Sequence, residues 1–256
     1  SRGLGDVYKR QILIHQPTFT MTLIKGIIFD YGGTIDSRGT HWSEVIWEGY
    51  LHCGLTSIDK PTFRDAYVFA ERELARTRHI LPHHNFLDLL LIKMRIELGW
   101  LADNGFITRE SADGLAGPIA RYCYEAARTC VEEARPVLEA IEEKGLPMVL
   151  VSNFYGNIES VLDDFGLRRF FPTIVESAVV GVRKPDPAIF ALGVEAIGLP
   201  AENVLVVGDS YRKDILPARS LGCPTAWLKG KGWTADEDAQ TDPCTITSLS
   251  DILTLL

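Results

Sequence analysis

Cysteine is sparse in this 256-residue chain and forms no pattern. The five (Cys53, Cys123, Cys130, Cys223, Cys244) are odd in number and scattered, without a CxxC pair. That argues against a disulfide framework or a cysteine zinc site, and for reduced thiols in a cytoplasmic compartment. No basic stripe or cluster occurs and net charge is −8, which argues against nucleic acid as a partner. The apolar runs are all far shorter than the ~20 residues of a membrane-spanning helix. Repeats and low-complexity tracts are lacking too. What remains, 46% hydrophobic and 23% charged, suits one large globular domain or a domain with an inserted subdomain. Against this acidic background a small anionic substrate needs local positive charge or a metal.

Three apolar runs without alternation, Ile24–Phe29, Met148–Val151 and Val204–Val207, read as buried parallel strands. Each is followed by a polar station: Asp30 in FDYGGTID, Ser152–Asn153 in VLVSNF, and Asp209 with Asp214 in VLVVGDSYRKDI. A fourth, Lys184, lies in the stiff loop GVRKPDP. Taken singly, an Asp, Ser or Asn after a strand is an ordinary turn or helix cap, and a loop lysine is ordinarily solvated. Taken together, at the C-terminal ends of strands, they converge on the crevice where open α/β sheets bind ligands. Gly33 lets the backbone approach a phosphate and Thr34 can donate to it. Ser152 and Asn153 supply a hydroxyl and backbone N–H groups. Asp30, Asp209 and Asp214 match the oxygen ligands that Mg²⁺ takes together with waters and phosphate.

Between the first two strands lie about ninety residues of helical periodicity, over Ser43–Cys53, Thr62–Thr77, Asn85–Gly99 and Thr108–Cys130. Breaks fall at Gly54, Lys60–Pro61, Leu81–Pro82 and Asp103–Gly105. Such an insert is too long for a connection and right for a cap. Alternation then resumes with helix Val137–Lys144 and runs through strands at Thr173–Val175 and Thr225–Leu228 to a tail with a helix capped near Ser248. The expected fold is a doubly wound parallel α/β sheet of five strands with an inserted α-helical cap subdomain. Its core spans 21–37 and 132–256, and its cap 38–131. Residues 1–20 are aperiodic and read as a leader that is non-native or disordered, with Met21 a plausible start; Ile12–Ile14 is too short for a signal peptide's apolar region.

The four stations in this order resemble the haloacid dehalogenase superfamily from Leu23 onward, with the helical insert at that family's first cap position. The resemblance implies hydrolysis of a small phosphorylated metabolite through an aspartyl-phosphate on Asp30. Ser152 would hold the phosphate, Lys184 would offset charge, and Asp209 and Asp214 would hold Mg²⁺. Family phosphatases carry an acid/base Asp two residues after the nucleophile, where this chain has Gly32. The family's metal contact there is a backbone carbonyl, which Gly32 retains. A missing general acid ordinarily forfeits ~10²–10⁴-fold in rate. Asp36 or His41 are the candidate substitutes. The alternatives are phosphonate cleavage, which in that branch needs a cap lysine (Lys60 or Lys93, each read as a surface lysine), carbon–halogen hydrolysis, and a silent phosphate- and metal-binding protein. The cap aromatics Trp42, Trp47, Tyr50 and Phe69 are candidates to line the crevice.

Overall fold

A computed structural model describes residues 23–256, so the expected leader and Met21 lie outside the described residues. Six parallel strands form one sheet in the order β3-β2-β1-β4-β5-β6. They are β1 (Gly26–Phe29), β2 (Met148–Ser152), β3 (Thr173–Glu176), β4 (Val204–Gly208), β5 (Thr225–Leu228) and β6 (Thr245–Ile246). Central β1 pairs with β2 on one side (Ile27 opposite Met148) and β4 on the other (Ile27 opposite Leu205). The strand order reverses at β1, which opens a crevice beyond its C-terminal end. Both faces are covered, which is why the strands read as unbroken apolar runs. Ile27, Phe29, Leu150 and Val207 pack on one side; Ile28, Val151, Val206 and Phe190 pack on the other. The sixth strand is the short extended piece of the tail, too brief for a periodic signal. Ser248 and Asp251 form the capping box of the helical turn that follows.

Four helices follow β1: α1 (Trp42–His52), α2 (Lys60–Arg76), α3 (Phe86–Asp103) and α4 (Arg109–Glu143). Asp59 caps α2, and Pro61 sits in its first turn, where a missing N–H goes unused, so this proline starts a helix instead of breaking one. Asn85 and Asp88 cap α3 reciprocally. The sequence separates a helix ending at Cys130 from one beginning at Val137, but α4 runs through both without interruption, including Pro118 and Pro136. Its buried stripe, Val131, Ala134, Val137, Leu138 and Ile141, continues past residue 131, and packing overrides the proline signal. The expected border between cap and core thus falls inside one helix.

The remaining helices, α5 (Ile158–Asp164), α6 (Ser177–Val180), α7 (Ala188–Ile197), α8 (Leu216–Ser220) and α9 (Ala235–Ala239), connect or flank the later strands. A π-helical turn, Tyr211–Ile215, precedes α8 where the sequence suggests one helix from Lys213, and it carries Asp214. No described helix is long and apolar enough to cross a membrane.

Candidate active site

Asp30 is the first residue beyond β1, 6% exposed at the floor of a cavity of about 1190 Å³. Lys184 Nζ donates to Asp30 Oδ1 at 2.5 Å and lies 2.7 Å from Asp214 Oδ1. The second approach falls outside hydrogen-bonding angles, which leaves Asp214 Oδ1 a buried acceptor without an aligned donor. Asp214 Oδ2 accepts from the Ser210 N–H at 2.9 Å. Thr34 Oγ1 donates towards Asp30 Oδ2 at 3.2 Å and Asp209 Oδ1 at 3.3 Å. Asp209 itself is steadied by Trp227, whose Nε1–H donates to the Asp209 carbonyl at 2.7 Å.

One carboxylate oxygen from each of Asp30, Asp209 and Asp214 lies within 4.8 Å of the others. Three carboxylates against the single ammonium of Lys184 leave a surplus of two negative charges in a buried space. Burial, then the neighbouring carboxylates, hold Asp209 well above the usual carboxylate range; burial also raises Asp30, against the pull of Lys184. Burial pulls Lys184 down, but Asp214 and Asp30 more than offset it and keep the ammonium charged. Crowded oxygens and a buried acceptor without an aligned donor suit a divalent cation with oxygen ligands.

Gly33 has φ +99°, and a Cβ there would lie 2.4 Å from Asp209 Cγ; this glycine makes room for a carboxylate. Its N–H donates to Asp36 Oδ1 at 2.7 Å. Asn153 is likewise committed to protein partners: it accepts from the Lys184 N–H at 2.9 Å and donates to the Lys184 carbonyl at 3.1 Å. These two of the four expected phosphate ligands thus hold Asp36 and Lys184 through the groups described. Ser152, at the end of β2, lines the cavity as expected, but α5 starts only at Ile158, so no helix begins beside it. Position 32 is open: a Cβ on Gly32 would meet only Trp42 Nε1, at 4.0 Å.

The two candidate substitutes for the missing acid differ. Asp36 is 1% exposed, and its oxygens accept from the Gly33 N–H and from Trp42 Nε1–H at 3.1 Å. Burial pushes its pKa up to about 8. His41 caps α1, Nδ1 accepting from the Ser43 N–H at 3.2 Å, the ordinary role of such a residue. Burial and then Lys213 and Lys93 pull its pKa down to about 4.

Of the cap aromatics, Trp42 lines the cavity, Tyr50 is fully buried in the core, Trp47 packs on Phe63, and Phe69 is exposed. Lys60 is partly exposed and pairs with Glu44 at 2.5 Å. Lys93 is no surface lysine: it is 4% exposed, lines the cavity and forms an ion pair with Glu71 of α2. A sequence signal for it exists. Within LLLIKMRIELGW, Lys93 and Glu97 fall on the same stripe as buried Leu90, Met94, Leu98 and Leu101. A charge on an apolar stripe is either paired or functional.

The family model for haloacid dehalogenase-like hydrolases matches residues 24–222, and the chain belongs to that family of enzymes. A phosphoglycolate phosphatase from Photorhabdus laumondii is 31% identical over 245 residues, 91% of this chain and 92% of the relative. Haloacid dehalogenase-like hydrolase domain-containing protein 3 of Danio rerio is 43% identical over 90 residues, 35% of this chain and 37% of the relative. The chain spans less than half the length of this and the next curated relatives it matches. A solved structure titled as a dehalogenase superposes with TM-score 0.60 at 15% identity, over 91% of this chain and 97% of its own, a likeness of fold. A haloacid dehalogenase-like hydrolase is what the family model and the fold define.

Proposed function

We propose that this protein is a Mg²⁺-dependent hydrolase of a small phosphate monoester, acting through an aspartyl-phosphate on Asp30. The observation that carries the reading is Asp30 set between the Lys184 ammonium and the carboxylates of Asp209 and Asp214. Mg²⁺, held by these carboxylates with the Gly32 carbonyl, would supply charge neutralisation at the phosphoryl oxygens. A carboxylate oxygen of Asp30 attacks phosphorus, the ester P–O bond breaks, and the leaving oxygen takes a proton. Water then attacks the phosphorus of the acyl phosphate, releasing inorganic phosphate and restoring Asp30. Lys184 offsets charge on the nucleophile and the phosphoryl group, and Ser152 and Thr34 orient the phosphoryl oxygens.

Gly32 brings no proton to the leaving oxygen. His41 is neutral near pH 7 and its Nδ1 is occupied, whereas Asp36 carries its proton there and is the better acid. Both Asp36 oxygens already accept N–H bonds, so it works less well than a free Asp at position 32 would. Good leaving groups therefore turn over fastest. Phosphonate cleavage is favoured by the small residue at 32 and a lysine in the cavity. Against it, burial lowers Lys93 but Glu71 more than offsets this, and an ammonium held charged does not form an imine.

The test is phosphate release with and without Mg²⁺ from acetyl and p-nitrophenyl phosphate and from alkyl phosphates. Metal-dependent release that is lost in Asp30→Asn is expected. Halide release from a 2-haloacid without metal, or release that survives Asp30→Asn, overturns the reading.

A further inference from the structure

Glu71 of α2 and Lys93 of α3 line the same cavity as Asp30, and Glu71 meets Tyr155 of the loop after β2. The two partners are exposed very unequally: 5% of the Lys93 side chain is accessible, against 38% for Glu71. Lys93 is packed behind it, its Nζ 4.2 Å from the centroid of the Tyr67 ring. Tyr155, from the core loop after β2, donates its OH to Glu71 at 3.3 Å. The ammonium and the phenol thus use part of the carboxylate's capacity and keep it ionised; burial alone would raise Glu71, but Lys93 brings it below the usual range. A carboxylate has about four lone-pair sites. Two donors leave acceptor capacity turned towards the cavity.

We propose that Glu71 selects the leaving group: the substrate's end remote from phosphorus carries a hydrogen-bond donor, a hydroxyl or an ammonium, and a carboxylate there is rejected. The inference rests on the phosphatase reading and specifies its substrate class. A donor entering beside Glu71 completes its hydrogen bonding next to the Tyr67 face, which also attracts cations. A substrate carboxylate would meet the Glu71 charge first, because 38% of the Glu71 side chain is accessible against 5% of Lys93. Phosphoglycolate, the substrate in the name of one relative, has that carboxylate and is therefore the discriminating substrate.

The experiment compares kcat/KM for glycerol 3-phosphate, ethanolamine phosphate and phosphoglycolate with Mg²⁺, for the unaltered protein, Glu71→Gln and Glu71→Asp. The unaltered protein is expected to favour one or both donor-bearing esters over phosphoglycolate by about tenfold or more. Whichever leads distinguishes hydroxyl from ammonium. In Glu71→Gln this ratio falls at least tenfold; Glu71→Asp keeps the charge and still rejects phosphoglycolate, and serves if the amide does not fold. Phosphoglycolate as the best substrate, or a ratio that Glu71→Gln leaves in place, overturns the proposal. Silence of every phosphate, acetyl phosphate included, marks failure of the phosphatase reading instead. The same ratios are then read as dissociation constants by calorimetry, and equal affinities sink the proposal there.

Discussion

At the sheet end of the cavity three carboxylates meet one ammonium, whereas at the cap end Glu71 meets Lys93 one for one. The sheet end takes its charges from strand ends and loops, where a glycine makes room for Asp209 and a threonine bridges two acids. The cap end takes them from helices whose buried faces are mostly apolar. The first arrangement carries excess charge and is finished by ligands; the second pairs its charges but leaves the carboxylate the more accessible partner. Under the proposed function, chemistry and selection fall to different elements, and substitutions at one end should leave a different signature from those at the other.

The largest effect is expected at the sheet end. Asp30→Asn removes the nucleophile and should lower turnover of acetyl phosphate by about 10³-fold or more, measured as phosphate release at saturating substrate. Next is Gly32→Asp, for which the open space at position 32 leaves room. It should raise alkyl phosphate turnover by about 10²-fold or more and change acetyl phosphate far less, because an added general acid helps only poor leaving groups. Equal gains on both substrates would mean that the missing carboxylate is not what limits alkyl esters.

At the cap end the expected effects are on stability. Glu97 is fully buried, takes a hydrogen bond from Tyr50 OH at 3.1 Å, and is pushed up by burial from 4.5 to about 7. With the folded pKa above the unfolded one, its contribution is complete below pH 4.5 and is lost as pH rises through 7. The loss approaches ~3 kcal/mol at full ionisation, and Glu97→Gln should flatten the slope of the urea midpoint between pH 5 and 8. A slope that persists in the amide would place the titration elsewhere. The smallest effect is expected for Lys93→Met. Breaking a buried pair typically costs 3–5 kcal/mol, but Glu71 keeps contact with cavity water, so ~1–3 kcal/mol is expected as a drop in Tm. A larger drop would show that the cap pair carries stability as well as selectivity.

Much of this was legible in the sequence. Strands β1, β2 and β4 are apolar runs, because a sheet covered on both faces leaves no alternation to misread, and the stations at Asp30, Ser152, Lys184, Asp209 and Asp214 do line one cavity. The hidden parts depend on partners distant in sequence. Asn153 gives its side chain to a loop 31 residues away, a partnership that no local pattern announces. Pro136 carries a breaker's signal that a buried stripe outweighs. Lys93 was misread for another reason: lysine is so commonly exposed that its place on the apolar stripe went unweighed.

The length of α4 has a mechanical side. Thirty-five residues at 1.5 Å each make a rod of ~52 Å. Its C-terminal part is bolted to the sheet domain: Arg135 donates to the Phe165 and Gly166 carbonyls, and Glu139 and Glu142 pair with Arg169 at 3.0 Å. Its N-terminal part lies along α1 and α3 among the cap helices. Leverage follows from that layout. A tilt of ~5° about residue 134 would carry the far end, 25 residues away, by ~3 Å. Small adjustments where the rod is clamped are thereby magnified at the cap helices packed against its far end.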